Sequence, residues 1–338
     1  MNYEELINED LIISLFYVMV IPFIGLFLGL LYKGFDRKIT AMMQSRIGPP
    51  WRQPFRDIRK LFMKETIVPD GAVPWLFNAA PVVALIAPLI ALVYLPLGPF
   101  GPVMEGYGDL ILILYLLAIP AVAMALGGLA SGSPYATVGA QRELVLMMSY
   151  EFPLAIAAVT VAWKFETFSL ATISSTPVWW LVGPMGAFGF VLVAVSLFTV
   201  LPGELSRVPF DQAEAETELA EGLFVEYSGR NLGLFYLAEA VKMVVVGTLM
   251  IALFFPHNLT NWVTIGGPEI FGYVIGDFIA DMAFFLLKLL VIIFTAVSVV
   301  RVAVARFQID KASYFYWVPM TLIGLLGTLL VIMEGVVF

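Results

Sequence analysis

Eight runs of about twenty mostly apolar residues constrain this chain more than any other feature. They fall at 11–32, 75–96, 109–130, 142–162, 178–201, 232–255, 276–301 and 315–337. A helix needs about 20 apolar residues to cross a hydrocarbon layer of about 30 Å. Within lipid, only structures that satisfy their backbone N–H and C=O groups internally are viable. The expected fold is therefore an all-α polytopic membrane protein with eight transmembrane helices, forming a single membrane domain over 1–338. The segments between runs are too short for a sizeable extramembrane domain, and no repeat or low-complexity linker divides the chain. Only 13% of residues are charged, about half the share usual in soluble domains. The acidic N-terminus (Glu4, Glu5, Glu9, Asp10) lacks the basic start of a signal peptide, so the first run is read as a retained span.

The chain has no cysteine and one histidine, His257. Without thiolates it has no ligands for a cysteine-held iron–sulfur cluster, and one imidazole cannot supply bis-histidine haem ligation or a multi-histidine metal site. No cofactor and no metal are expected in this chain. In a redox enzyme its electrons would run through other subunits. A net charge of −8 argues against nucleic-acid binding.

Sidedness follows from the basic residues. Nine of the 18 Lys and Arg lie between Lys33 and Lys64. With eight spans, the loops that share that side add Arg142, Arg207, Arg230, Arg301, Arg306 and Lys311, whereas the opposite loops hold only Lys164. This predicts a cytoplasmic location for the first of these loops and for the acidic loop 202–231, with both termini outside.

That acidic segment, LPGELSRVPFDQAEAETELAEGLFVEYSGRN over Leu201–Asn231, is the main polar interruption. A helix there would place Asp211, Glu214, Glu218 and Glu221 on one face. It is either a solvated loop or a proton-conducting cluster at the membrane rim. In 51–64, Trp51, Phe55, Ile58 and Phe62 recur at helical spacing among Arg52, Arg56, Arg59 and Lys60, predicting an amphipathic interfacial helix after the first span. It serves as an anchor or also walls a cavity beneath the membrane surface. SGSPYATVGAQRE is read as a loop running into the fourth span, with Arg142 at its edge. Glu151 then lies about 13–14 Å deeper, near mid-bilayer, with the helix-perturbing Pro153 beside it. Glu239 and Lys242 share a face of the sixth span, as do Asp277, Asp281 and Lys288 on the seventh. Each set is either a structural ion pair or part of a proton wire. Glu334 and His257 are expected to be solvated.

Three long motifs are recognisable together: DRKITAMMQSRIGPPWRQPFRDIRKLFMKE, GAQRELVLMMSYE, and ELSRVPFDQAEAETELAEGLFVEYSG followed by LGLFYLAE. In this order they resemble the membrane subunit at the heel of respiratory complex I (NADH-quinone oxidoreductase). Quinone-linked members usually carry a glutamate–arginine pair after the first span and a GPN turn. Here these are Asp36–Arg37 and Gly48–Pro49–Pro50. The third-motif arginine is followed by Glu143–Leu144–Val145 instead of an alanine-rich stretch. These features resemble the corresponding subunit of energy-converting (group 4) [NiFe] hydrogenases and their ferredoxin-linked relatives, including archaeal sulfane sulfur reductases.

The resemblance implies that Asp36, Arg37, Arg46, Asp57, Lys60, Arg142 and Arg207 line the cavity and interface with the peripheral arm. It implies that Glu151, Asp211, Glu214, Glu216, Glu218, Glu226, Glu239 and Lys242 belong to a proton or coupling route. Its implied partners are a hydrogenase-like large subunit, iron–sulfur subunits carrying the clusters or a [NiFe] site, antiporter-like membrane subunits and, indirectly, ferredoxin. The expected function is a non-redox anchor and coupling subunit of a ferredoxin-oxidising, ion-translocating complex in a prokaryotic cytoplasmic membrane. The alternatives are a quinone-site subunit, a structural anchor with inert acids, and a secondary transporter. The last would need inverted repeats around a midplane site.

Overall fold

The computed structural model describes the backbone of residues 3–104, 106, 108–263, 266, 269–270 and 273–337; the side chains of 3–14, 216, 269–270, 273 and 336–337 lie outside the described residues. Eight helices are long and apolar enough to cross a membrane. They are built on α1 (Tyr3–Met43), α3 (Pro74–Tyr94), α4 (Asp109–Ala130), α5 (Pro134–Phe165), α7 (Pro184–Glu204), α9 (Gly229–Phe254), α10 (Ile275–Ile293) and α13 (Thr321–Val337). Short helices α2 (Gln53–Met63), α6 (Leu170–Ser175) and α8 (Glu216–Leu219) lie between spans, while α11 (Val300–Ala303) ends the seventh span and α12 (Ile309–Phe315) begins the eighth. The described strands are a two-residue ladder, Glu269–Ile270 against Tyr273–Val274, in the connection before α10.

Helix α9 is the hub. The apolar window of its span is 89% buried, against 28–56% for the other seven. It packs on α1, α2, α3, α7 and α10, while α3 pairs with α4, α7 pairs with α13, and α5 bridges the two pairs. Lipid is as apolar as a leucine side chain, so close packing decides how such helices associate. Gly29 shows this on α1. A Cβ there would collide with the backbone oxygen of Ala240 on α9. Its absence lets the two backbones meet one turn before Lys33. Gly29→Ala should therefore cost about 1–3 kcal/mol through overpacking, read as a lowered Tm of the purified protein; an unchanged Tm would show that α9 can shift to accommodate it.

Several expected boundaries move. Helix α5 begins at Pro134 rather than near 142, because proline at the first position is pre-set for a helix and loses no bond there. The small residues of the expected loop instead form turns that pack under loop 202–231: a Cβ on Gly139 would lie 2.9 Å from Ala213 O. The segment is a loop, as expected, and no single helix sets its acids on one face. It contains a 3-10 turn at Gln212–Glu214, the four-residue α8 and a second turn at Gly222–Phe224. Left-handed φ at Ala220, Glu221 and Gly222 breaks the rod. Two π-helical stretches, Phe294–Val299 and Tyr316–Met320, interrupt the last two spans.

The end of the bundle away from loop 202–231 also differs from expectation. Glu334 is buried, not solvated, and its carboxylate accepts N–H bonds from Gly183 (2.6 Å) and Gly186, capping the start of α7 from α13. Asp281 accepts from Thr260 N at 2.9 Å and Thr260 Oγ1 at 2.7 Å. Lys288 donates to the carbonyls of Phe255 (2.9 Å) and His257 (2.7 Å). Asp281 and Lys288 thus tie the connection after α9 and do not pair with each other. The expected solvation of His257 is only partly met: its ring packs between Trp180 and Trp262, with centroids 4.8 and 5.4 Å away.

Candidate functional site

Glu239 and Lys242 stand three residues apart on α9, and each anchors a buried charge cluster. Around Glu239, Lys33 Nζ of α1 approaches Oε2 to 2.9 Å and Arg207 Nη2 approaches the same oxygen to 3.4 Å. The other carboxylate oxygen, Oε1, is buried without a hydrogen-bond partner. Lys33 also lies over the Tyr236 ring, 4.9 Å from its centroid. Around Lys242, Glu204 Oε1 at the end of α7 is 2.9 Å from Nζ, and both side chains are 2–3% exposed. The pair is close enough for an ion pair but misses hydrogen-bond geometry, leaving both atoms unsatisfied.

Glu143 of α5 joins the second cluster. It is fully buried, accepts a long bond from Ser206 Oγ at 3.4 Å, and has no partner for Oε2. Lys242, Glu204 and Glu239 are its electrostatic neighbours. About two turns further along α5, the buried Tyr150 hydroxyl is unpartnered, and half-buried Glu151 makes no hydrogen bond or salt bridge with any described residue. Glu204 and Lys242 act on Glu151 electrostatically. Buried ions are expensive, and unsatisfied ones more so. A hydrophobic core would be the cheaper way to hold these helices, so the concentration of charge points to a functional constraint.

The file reaches the loop at Glu214, half-buried, with Glu239, Arg207, Glu143 and Lys33 as its charged neighbours. Burial pushes its carboxyl well above the usual range, and the negative charges of Glu239 and Glu143 add to that. Burial opposes the charge on Arg207, but Glu239, Asp36, Glu214 and Asp211 outweigh it and hold the guanidinium protonated. Folding therefore raises the proton affinity of Glu214. Its contribution is favourable at low pH and is lost as pH rises through the raised value. Amide protection over 212–224, corrected for intrinsic exchange, should fall with rising pH above the ordinary carboxylate range. In Glu214→Gln that fall should disappear; an equal fall in both proteins would assign the effect to another group.

Toward the rim the charges are paired and more exposed. Arg306 forks onto both oxygens of Asp211 at 2.8 and 2.6 Å. Arg142 meets Glu218 at 2.6 Å and the Gln212 carbonyl at 3.3 Å. Arg37 reaches Asp57 at 2.8 Å and so ties α1 to α2. Buried Asp36 accepts from Ser298 at 2.6 Å and Thr40 at 3.4 Å, with Arg301 3.5 Å away. The π-helical turn puts Ser298 and Arg301 beside α1 together. Arg37, Arg46 and Arg301 line a cavity of about 400 Å³ with Thr40 and the Gly48–Pro49 turn.

Of the residues singled out from sequence, Glu239, Lys242, Glu214, Arg207 and Glu151 belong to the inner file. Asp36, Arg37, Asp57, Arg142, Asp211 and Glu218 belong to the rim. Lys60 is exposed, the Arg46 guanidinium donates to its near neighbour Gln44, and Glu226 is half-buried without a hydrogen-bond partner among the described residues. The side chain of Glu216 lies outside the described residues. Sequence reasoning missed Lys33, Glu143 and Glu204. Glu143 was hidden by the late helix start: counted from Pro134, it falls in the third turn of α5, inside the bundle.

Eight spans around a buried file of acids and bases define a polytopic membrane protein of the respiratory-complex kind. The chain belongs to the NADH dehydrogenase family, that of the heel membrane subunit of complex I, whose model matches residues 15–332. It is 32% identical to the corresponding NADH-quinone oxidoreductase subunit of Syntrophotalea carbinolica, with 87% of each chain covered. It is also 32% identical to hydrogenase-4 component C of Escherichia coli, over 87% of this chain and 89% of that one. A chain of the membrane-bound sulfane sulfur reductase, an archaeal respiratory membrane complex, superposes with a TM-score of 0.81 at 30% identity, covering 94% of this chain and 99% of the other. The protein is therefore a membrane subunit of a complex I-like oxidoreductase.

Proposed function

We propose that this chain is the non-redox membrane anchor and coupling subunit of a ferredoxin-oxidising, ion-translocating complex of the membrane-bound hydrogenase or sulfane sulfur reductase type. One observation carries the proposal: α9 carries two charge clusters, Glu239 with Lys33 and Arg207 and Lys242 with Glu204 and Glu143, and Glu214 of the loop lies in the field of groups from both. Clustered carboxylates titrate together, so a redox or conformational event beside Glu214 shifts protons along the whole set. The peripheral arm docks over loop 202–231, α2 and the rim arginines. Its hydrogenase-like and iron–sulfur subunits carry the electrons from ferredoxin, and antiporter-like subunits complete proton or sodium movement. The bias of basic residues supports placing that face on the cytoplasmic side of a prokaryotic cell membrane, with both termini outside.

A quinone-site subunit is the competing assignment, favoured by the identity to the quinone enzyme's counterpart. The cavity beside Gly48–Pro49 speaks against it, because three arginines line it where a quinone ring would need an apolar wall. Purification of the chain with its natural partners decides. Nickel together with hydrogen evolution from reduced ferredoxin selects the hydrogenase, and ferredoxin oxidation without either selects the sulfur-reducing type. Quinone reduction sensitive to quinone-site inhibitors overturns the proposal.

A further inference from the structure

Lys288 stands where two cavities of opposite character meet. On one side is a groove of about 380 Å³, lined by Trp262, Phe284, Leu287, Val291 and Ile292. Its wall is nearly all apolar, and Trp262, Leu287 and Val291 are each more than half exposed. On the other side is a smaller hollow of about 170 Å³, lined by Ser174, Asn258 and the backbone around Gly98 and Gly101. Lys288 lines both. Its ammonium donates to two neutral carbonyls, those of Phe255 and His257. No carboxylate among the described residues lies within salt-bridge distance of it. Asp281, the charge on the same helix that acts on it, has both oxygens engaged by Thr260.

An apolar slot, a polar hollow and one uncompensated cation at their junction match an amphiphile with an anionic head. We propose that this is a binding site for an anionic membrane phospholipid. An acyl chain lies along Phe284, Leu287 and Val291, the phosphate sits on Lys288, and the glycerol and headgroup enter the hollow beside Ser174 and Asn258. The apolar groove alone would accept any lipid tail; the charge of Lys288 makes the site selective for a negative head. The site is independent of the coupling file and lies at the far end of α9 from Glu239.

Trp262 provides the readout. The intact complex is placed in bilayers that contain phospholipid with brominated chains, and the Trp262 contribution to fluorescence is isolated by difference from Trp262→Phe. Brominated phosphatidylglycerol should quench it with about fivefold higher relative affinity than brominated phosphatidylcholine, as expected for one lysine acting on one lipid charge. Lys288→Gln should abolish that preference while still allowing quenching by both lipids. Lys288→Arg, which keeps the charge and the carbonyl bonds, should retain the preference and guards against a collapsed loop in the glutamine variant. Val291→Trp, filling the groove from an exposed position, should reduce quenching by both lipids; Trp262→Phe/Val291→Trp supplies its blank. Equal quenching by the two lipids in the wild type, a preference that survives Lys288→Gln, or a Trp262 signal that no lipid reaches would each overturn the proposal.

Discussion

Glutamine in place of Glu151 or Glu214 is expected to stop ion translocation while leaving the complex assembled. Glu151 is half-buried and makes no hydrogen bond or salt bridge with any described residue. Glutamine keeps its size and polarity there, so the fold should change by less than about 1 kcal/mol. Burial already favours the neutral form of Glu214, and its amide isostere matches that form. Glutamine cannot lose or relay a proton. If these carboxyls carry protons in turnover, each variant should lower coupled ion movement by on the order of 100-fold, the scale on which a positioned proton-transfer group acts. Electron transfer with an artificial donor and acceptor should persist. Reconstitution in vesicles with a pH or sodium indicator measures the first quantity, and uncoupled redox turnover measures the second. Wild-type pumping by both variants in fully assembled complexes would leave the acids as inert ballast and end the coupling proposal.

The largest stability effect is expected at Lys242. Its ammonium and the Glu204 carboxylate are both almost wholly enclosed, 2.9 Å apart, with Glu143 nearby. Lys242→Met leaves two buried acids without that cation, and breaking such a pair costs about 3–5 kcal/mol. The variant should show a markedly lower Tm and a reduced yield of assembled complex. Lys242→Met/Glu204→Gln removes both charges at similar volume and should recover most of the loss, because a buried ion pair is often replaceable by neutral groups. The double variant also separates two roles. If the pair only holds α7 to α9, turnover returns with stability; if it belongs to the coupling route, stability returns and ion movement stays lost. A single variant as stable as the wild type would mean that the ion pair contributes little to stability.

Helix α2 and the rim were readable in part. The periodic Trp51, Phe55, Ile58 and Phe62 predicted a helix over 51–64, and α2 occupies Gln53–Met63. Arg37 and Asp57 were selected separately, as charges in a recognised motif, and meet at 2.8 Å. The acidic segment was readable as a loop, but its path was not, because spacing alone cannot register a left-handed break at Ala220–Gly222. Its acids consequently disperse: Asp211 goes to Arg306, Glu218 to Arg142, and Glu214 turns toward the interior charges. Glu334 was misjudged for a related reason. A carboxylate near the end of an apolar run reads as solvated unless the amides it will cap, 148 and 151 residues earlier, are known to lie beside it.

The sequence by itself determined the membrane class, the eight spans, the family and most of the residues that carry charge into the bundle. Those properties depend on run length, composition and local order, all of which are one-dimensional. The tertiary structure alone decided that Glu239 is shared by Lys33 and Arg207, that Lys242 faces Glu204, and that Glu143 lies within their field. Electrostatic energy depends on separation in space and on burial. Both are fixed only when helices distant in the chain pack around α9.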